Sequence, residues 1–175
     1  MIDLAYFLVL LVFHSLNIFL FSFLQVILLF YMKYKVKMLV FYTDASFSPI
    51  TRSSSFGVYC PAENFYYCSH LPKYLCDNMM AEQMAIENTI KIIKERFMDS
   101  ENKHSHFLIY SDCLPAVRSR EYSHGSGKNI EIKWISRWSD GITVADRMAS
   151  WERRQLPTLE GRILTESEFS SLFNT

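Results

Sequence analysis

The sequence is poor in the residues that mark disordered or fibrous chains. Its 175 residues include only 5 Gly and 5 Pro, and 50% of them are hydrophobic. This composition excludes a collagen-like or an intrinsically disordered chain. It supplies enough apolar material for one ordinary domain with an appendage.

An excess of charge of one sign is also missing, since 18 basic residues balance 18 acidic ones. The chain therefore does not hold nucleic acid through net charge alone. Its cysteines form no C-x-x-C pair and have no histidines clustered at zinc spacing, which argues against a closed zinc site. We expect buried free thiols at the four positions Cys60, Cys68, Cys76 and Cys113.

Basic residues are absent from residues 1–31, where Asp3 carries the one charged side chain. As a helix, the uncharged run Leu4–Tyr31 is long enough to cross the hydrocarbon core of a membrane. We therefore predict a hydrophobic leader helix over residues 1–31 and a membrane anchor through residues 4–31. The lysines after the leader would keep the rest of the chain in the cytoplasm: they are Lys33, Lys35 and Lys37.

Two alternatives to a membrane anchor stay open for the leader. The run also fits non-coding sequence joined to a shorter reading frame that starts at Met32 or Met38. A helix buried in a domain core fits less well, because the run is apolar all round and a small domain could not cover it. The expected location is intracellular: a cytoplasm-facing membrane anchor with the leader, and a soluble cytoplasmic or nuclear protein without it.

Beyond the leader, the hydrophobic pattern predicts an α/β domain over residues 38–154 with the element order β-β-β-α-β-α-β-α. The five expected strands are residues 38–43, 55–60, 65–70, 107–110 and 130–135. They form a mixed five-stranded sheet with helices on its faces, because a crossover through a helix places the fourth strand parallel to the first. Residues 46–55, rich in Ser, Pro and Thr, are expected to form a loop.

The helix boundaries follow from capping residues. The first helix is expected after Pro72, with Asp77 or Asn78 as its cap, and a short second helix opens at Pro115. The third is expected from Val144, capped by Thr143. The remaining tail, residues 155–175, carries one short helix, since Thr165-x-x-Glu168 has the form of a capping box.

Four acids stand where a packed α/β domain needs no charge: Asp44, Glu82, Asp112 and Asp146. Asp44 and Asp112 end two strands that are expected to be adjacent and parallel, so they emerge at one edge of the sheet. Glu82 borders the apolar stripe of the first helix and can lean towards them. Clustered carboxylates repel one another unless cations neutralise them, and hard divalent ions such as Mg²⁺ prefer oxygen ligands. Two such ions would support phosphodiester hydrolysis.

Three of these acids, taken alone, also fit a purely structural role. Asp44 would serve as a turn residue, and Asp112 would cap the helix that follows it. Asp146 would complement the dipole at the start of the last helix.

The motifs around these acids resemble ribonuclease H over residues 38–151. They are Phe41-Tyr-Thr-Asp44-Ala-Ser46 with Gly57-Val-Tyr59, Asn78-x-x-Ala-Glu82, Ile109-Tyr-Ser-Asp112 and Gly141-x-x-x-Ala-Asp146. The resemblance implies the ribonuclease H-like fold and hydrolysis of the RNA strand of RNA–DNA hybrids. It also implies that the four acids are catalytic and hold two Mg²⁺ ions, for which Mn²⁺ can substitute.

The resemblance makes Asn78 a substrate-binding residue, and a helix cap is the alternative at that position. The family's histidine between the last strand and the last helix is absent from Trp134–Gly141. The alternative function is therefore a catalytically impaired module that binds nucleic acid or another partner, with or without a membrane tether. The sequence identifies no protein partner.

Overall fold

A computed structural model of the chain describes residues 21, 23–25, 38–73, 75, 77–98, 106–121, 129–155, 157 and 161–173. The chain divides into two units, Met1–Val36 and Lys37–Thr175. The predicted leader helix lies outside the described residues except for Phe21 and residues 23–25, which are helical. No helix within the described residues is both long and apolar enough to cross a membrane.

Six strands in the described part of the chain form one mixed sheet in the order β5-β4-β1-β2-β3-β6. They are β1 (Met38–Ser48), β2 (Ser53–Cys60), β3 (Phe65–His70), β4 (His106–Ser111), β5 (Ile130–Trp134) and β6 (Arg162–Ile163). β4 runs parallel to β1 and to β5, whereas β1, β2, β3 and β6 pair antiparallel in turn. The predicted mixed α/β sheet is confirmed. The predicted number of five strands is wrong, because the two-residue β6 is too short to show a hydrophobic period.

The described helices cover both faces of this sheet. They are α1 (Asn78–Arg96), α2 (Leu114–Glu121), α3 (Asp140–Arg153) and α4 (Glu166–Ser171). Phe41 of β1 belongs to the same buried core as Ile86 of α1. Its neighbour Tyr42 faces Gly141 of α3. Since successive side chains of a strand point to opposite faces, α1 and α3 lie on opposite sides of the sheet.

The predicted loop over residues 46–55 is wrong. β1 continues to Ser48 and β2 begins at Ser53, so only a four-residue turn separates them, with Arg52 in the left-handed region at φ 51°. Ser46 pairs with Ser55 across the hairpin. Ladder hydrogen bonds and cross-strand packing outweigh the weak strand preference of serine, and composition alone does not show this.

The capping residues of α1 and α3 show where each of these helices begins. Asp77 caps α1 by accepting a hydrogen bond from the Met80 amide at 2.8 Å, so Asn78 is the first residue of the helix. The predicted start of α3 is wrong, because Ser139 caps it and accepts from the Ile142 amide. Asp146 therefore lies in the second turn, and a role at the helix dipole, which acts at the first turn, no longer accounts for it.

The tail packs on the far edge of the sheet. β6 pairs with β3, and the Arg162 Nε atom lies 3.2 Å from Oε2 of Glu152, a fully buried residue of α3. The ring of Phe169 in α4 stacks on Tyr66 with centroids 3.9 Å apart. The predicted capping box is confirmed, since Thr165 and Glu168 exchange both hydrogen bonds at the start of α4.

Candidate active site

The ends of the parallel strands bring Asp44 and Asp112 to one place. The pairing of β1 with β4 ends at Tyr42 and Tyr110, so each aspartate stands two residues beyond the last pair. Asp44 does not end its strand as predicted, because β1 continues along its other partner β2 and places Asp44 opposite Gly57. Asp44 nevertheless lies beyond the last residue of β1 that pairs with β4.

Glu82 joins the two aspartates from α1. It is the fifth residue of that helix and is buried, as is Asp44. One carboxylate oxygen from each of Asp44, Glu82 and Asp112 lies within 4.8 Å of the others. This three-acid cluster gathers carboxylates from two strand ends and one helix.

Asp146 reaches the cluster from the opposite face of the sheet. It is an exposed residue of α3, and its charge is among those that raise the pKa of Asp44. The structure therefore brings three of the four predicted acids together within 4.8 Å, and Asp146 acts on Asp44 from outside that cluster.

The cluster is electrostatically unfavourable without a cation. Burial, followed by the charges of Glu82, Asp112 and Asp146, raises the pKa of Asp44 well above its usual range. Burial and then the Asp112 charge raise the pKa of Glu82 to about 8. Like charges in a desolvated site disfavour ionisation of one another.

A hard divalent cation fits this site. Oε2 of Glu82 is buried and has no hydrogen-bond partner among the described residues. Such an atom normally has a partner, and carboxylate oxygens are the ligands that Mg²⁺ and Mn²⁺ prefer. The donor set of Asp44, Glu82 and Asp112, with Asp146 beside it, matches that preference.

Arg137 is a site residue that the sequence did not single out. Its Nε atom donates to Oδ2 of Asp112 at 3.1 Å, although 71% of the arginine side chain is exposed. The indole nitrogen of Trp134 donates to the carbonyl oxygen of Asp112 at 3.0 Å. These contacts hold the end of β5 and the segment after it beside the cluster. In the sequence, the one indication of this contact was a basic residue between the last long strand and the last long helix.

Asn78, the predicted substrate-binding residue, is exposed at the mouth of the same site. It lines an open cavity of about 460 Å³ together with Glu82, Asp112 and Arg137. Because Asp77 caps the helix, the alternative role of Asn78 as the cap is wrong. Its side chain remains available for contact with a ligand in the cavity.

This arrangement defines a ribonuclease H-like fold, with three antiparallel strands followed by two parallel ones and carboxylates where the two halves meet. Among solved structures, LC11-RNase H1, isolated from compost by a metagenomic approach, matches with a TM-score of 0.51 and 12% identity over 67% of this chain and 96% of that chain. The fold predicted from the sequence motifs is thus confirmed. No protein-family model and no curated protein matches the chain.

Two further structures match with lower scores. LC11-RNase H1 in complex with an RNA/DNA hybrid has a TM-score of 0.48 and 13% identity, over 65% of this chain and 94% of that chain. The protease-reverse transcriptase of prototype foamy virus has a TM-score of 0.46 and 16% identity, over 68% of this chain and 21% of that chain.

We expect Glu82 to make the stability of the metal-free protein depend on pH. Its pKa is about 8 in the folded chain against an ordinary value of 4.5, so the folded state binds more protons between these values. The free energy of unfolding should therefore fall as the pH rises from 4.5 to about 8, by at most about 1.4 kcal/mol per pH unit for this group. Glu82→Gln should flatten that fall in urea unfolding curves measured in EDTA.

The matched control is Glu131→Gln on β5, whose carboxylate is exposed. It should keep the parent pH dependence. A Glu82→Gln protein with the same pH dependence as the parent would show that Glu82 does not carry the extra proton.

Proposed function

We propose that the domain is a metal-dependent endonuclease that hydrolyses the RNA strand of RNA–DNA hybrids. The observation that carries the proposal is the cluster of Asp44, Glu82 and Asp112 within 4.8 Å, two of them buried, in a ribonuclease H-like fold. A structural ion pair would need cationic partners, whereas Arg137 contacts only one carboxylate of the cluster, that of Asp112.

The four acids hold the metal in this mechanism. Asp44 has the central position, since it adjoins both Glu82 and Asp146, and Glu82 offers the partnerless Oε2. Two divalent cations held by these acids would supply activation of the attacking water and stabilisation of the leaving oxygen in an in-line displacement. Because the pKa values of Asp44 and Glu82 are raised, a cation bound there would displace the protons that these two carboxyl groups retain.

Arg137 does not replace the histidine that ribonuclease H has between its last strand and last helix, because the two side chains differ in their chemistry. A guanidinium group stays protonated at all accessible pH values, so it cannot transfer a proton. Its planar set of N–H donors instead suits the non-bridging oxygens of a phosphate. We assign Arg137 to phosphate orientation beside Asp112, and Asn78 to contact with the substrate at the mouth of the cavity.

The test is cleavage of an RNA–DNA hybrid labelled on its RNA strand, with single-stranded RNA and duplex DNA as comparison substrates. In Mg²⁺ or Mn²⁺ we expect cleavage of the hybrid RNA to fragments with 3′-hydroxyl and 5′-phosphate ends, and none in EDTA. Binding of the hybrid without cleavage in either metal would overturn the proposal. That result would favour a catalytically impaired binding module.

A further inference from the structure

The last residue of β5, Trp134, and the segment that joins β5 to α3 present two tryptophans to solvent at the edge of the candidate active site. Trp138 is 86% exposed, and Trp134 is 50% exposed. We name Trp134, Arg137 and Trp138 the aromatic rim. Tryptophan is enriched at interfaces, because it combines a large apolar ring with an N–H donor.

The aromatic rim is held in place rather than loosely attached. Trp134 and Arg137 are both hydrogen-bonded to Asp112, and the Trp138 amide donates to the Ser136 hydroxyl. The amide of Ser139, the cap of α3, donates to the Ser136 carbonyl at 3.0 Å. The indole of Trp138 is largely exposed and makes no aromatic or cation–π contact within the described part of the chain.

We propose that the aromatic rim binds unpaired nucleotides that flank a hybrid duplex, with one base stacked on Trp138. The combination of an aromatic face and a guanidinium group is the chemistry that holds single-stranded nucleic acid. Inside a duplex both faces of each base are covered by its neighbours, so only an unpaired or terminal base offers a free face to an indole. This inference rests on the proposed function, because that function brings a nucleic acid strand to Asp112.

Charge and position favour nucleic acid over a protein partner. Arg137 lies between the two tryptophans in the sequence and contacts Asp112, so a strand whose phosphate lies at the three-acid cluster passes the rim. Stacking on Trp138 then extends the bound strand beyond the reacting phosphate. The expected ligand is a hybrid with a single-stranded extension.

The experiment compares three fluorescently labelled ligands by anisotropy in EDTA: a blunt hybrid, the same hybrid with a single-stranded extension, and that hybrid with an abasic extension. The abasic extension keeps the phosphates and removes the bases. We expect the parent protein to bind the base-bearing extension about tenfold more tightly than the abasic one, as stacking on an aromatic side chain predicts. Trp138→Ala should lose that preference, and Trp138→Phe should keep most of it.

Ile50→Ala is the control, because Ile50 is 92% exposed in the turn between β1 and β2, outside the rim. Equal preference for the base-bearing extension in the parent and in Trp138→Ala would overturn the inference. So would a parent dimer that Trp138→Ala converts to a monomer in sedimentation, with unchanged nucleic acid binding. Binding is measured without metal and cleavage with it. A protein that fails to cut hybrids can therefore still show, or fail to show, the preference for the base-bearing extension.

Discussion

Asp44→Asn should abolish metal-dependent cleavage while the domain stays folded. The amide keeps the shape of the side chain but removes the charge at the centre of the cluster, where Asp44 adjoins Glu82 and Asp146. We expect the cleavage rate to fall by about 10³-fold or more, as for the loss of a central electrostatic group. The rise in melting temperature on adding Mg²⁺ or Mn²⁺, which ligand linkage requires, should disappear with it.

The same variant should gain stability without metal. An amide in place of a buried carboxylate relieves repulsion, so Asp44→Asn should unfold at a higher urea concentration than the parent in EDTA at pH 8. Asp140→Asn is the control, because Asp140 is exposed in the first turn of α3. A folded Asp44→Asn protein that cuts at the parent rate would disprove the two-metal assignment, and one that loses stability in EDTA would point to a structural turn residue.

Gly57→Ala should destabilise the domain and weaken its activity together. A Cβ atom at Gly57 would meet the backbone oxygen of Ala145 at 2.4 Å and Cβ of Met148 at 2.9 Å, both in α3. Neither atom belongs to the end of a flexible side chain, so the helix must shift. We expect a loss of about 3 kcal/mol in the free energy of unfolding, the upper part of the usual range for overpacking.

The shift should also reach the active site, because Asp146 follows Ala145 directly in α3. A displacement of about 1 Å at a reacting group can cost about 100-fold in rate. Urea unfolding and hybrid cleavage measure the two effects. Thr51→Ala, in the exposed turn before the same strand, should leave both within error, and a Gly57→Ala protein as stable as the parent would show that β2 and α3 are not tightly packed.

The order of the elements could be predicted because its signals are local. Apolar runs at 38–43 and 107–110 identify two strands, and the helical pattern between them implies the parallel crossover that β1 and β4 make. Asp44 and Asp112 were predicted to meet because each follows the apolar run of one of these two strands. Their separation of less than 4.8 Å was beyond the sequence, since it depends on how α1 packs against β1.

The start of α3 could not be predicted, because Ser139 and Thr143 are both good caps and Gly141 disfavours a helix. In the structure Ser139 is the cap. Gly141 is then part of the helix and packs directly on the ring of Tyr42, where a Cβ atom would not fit. The pair of Arg137 with Asp112 was missed for a similar reason. It joins residues 25 positions apart, and no periodic pattern records such a contact.

The central place of β1 in the sheet has a consequence for folding of the chain on the ribosome. β1 is made first in the domain, and it can form its hairpin with β2 as soon as Cys60 has emerged. Its other edge must wait for β4, whose Phe107 pairs with Leu39. Until then an apolar strand edge is open to other chains, which is a known route to aggregation. We therefore expect refolding yields to fall with protein concentration, and the two aspartates to come together only at this late, long-range step.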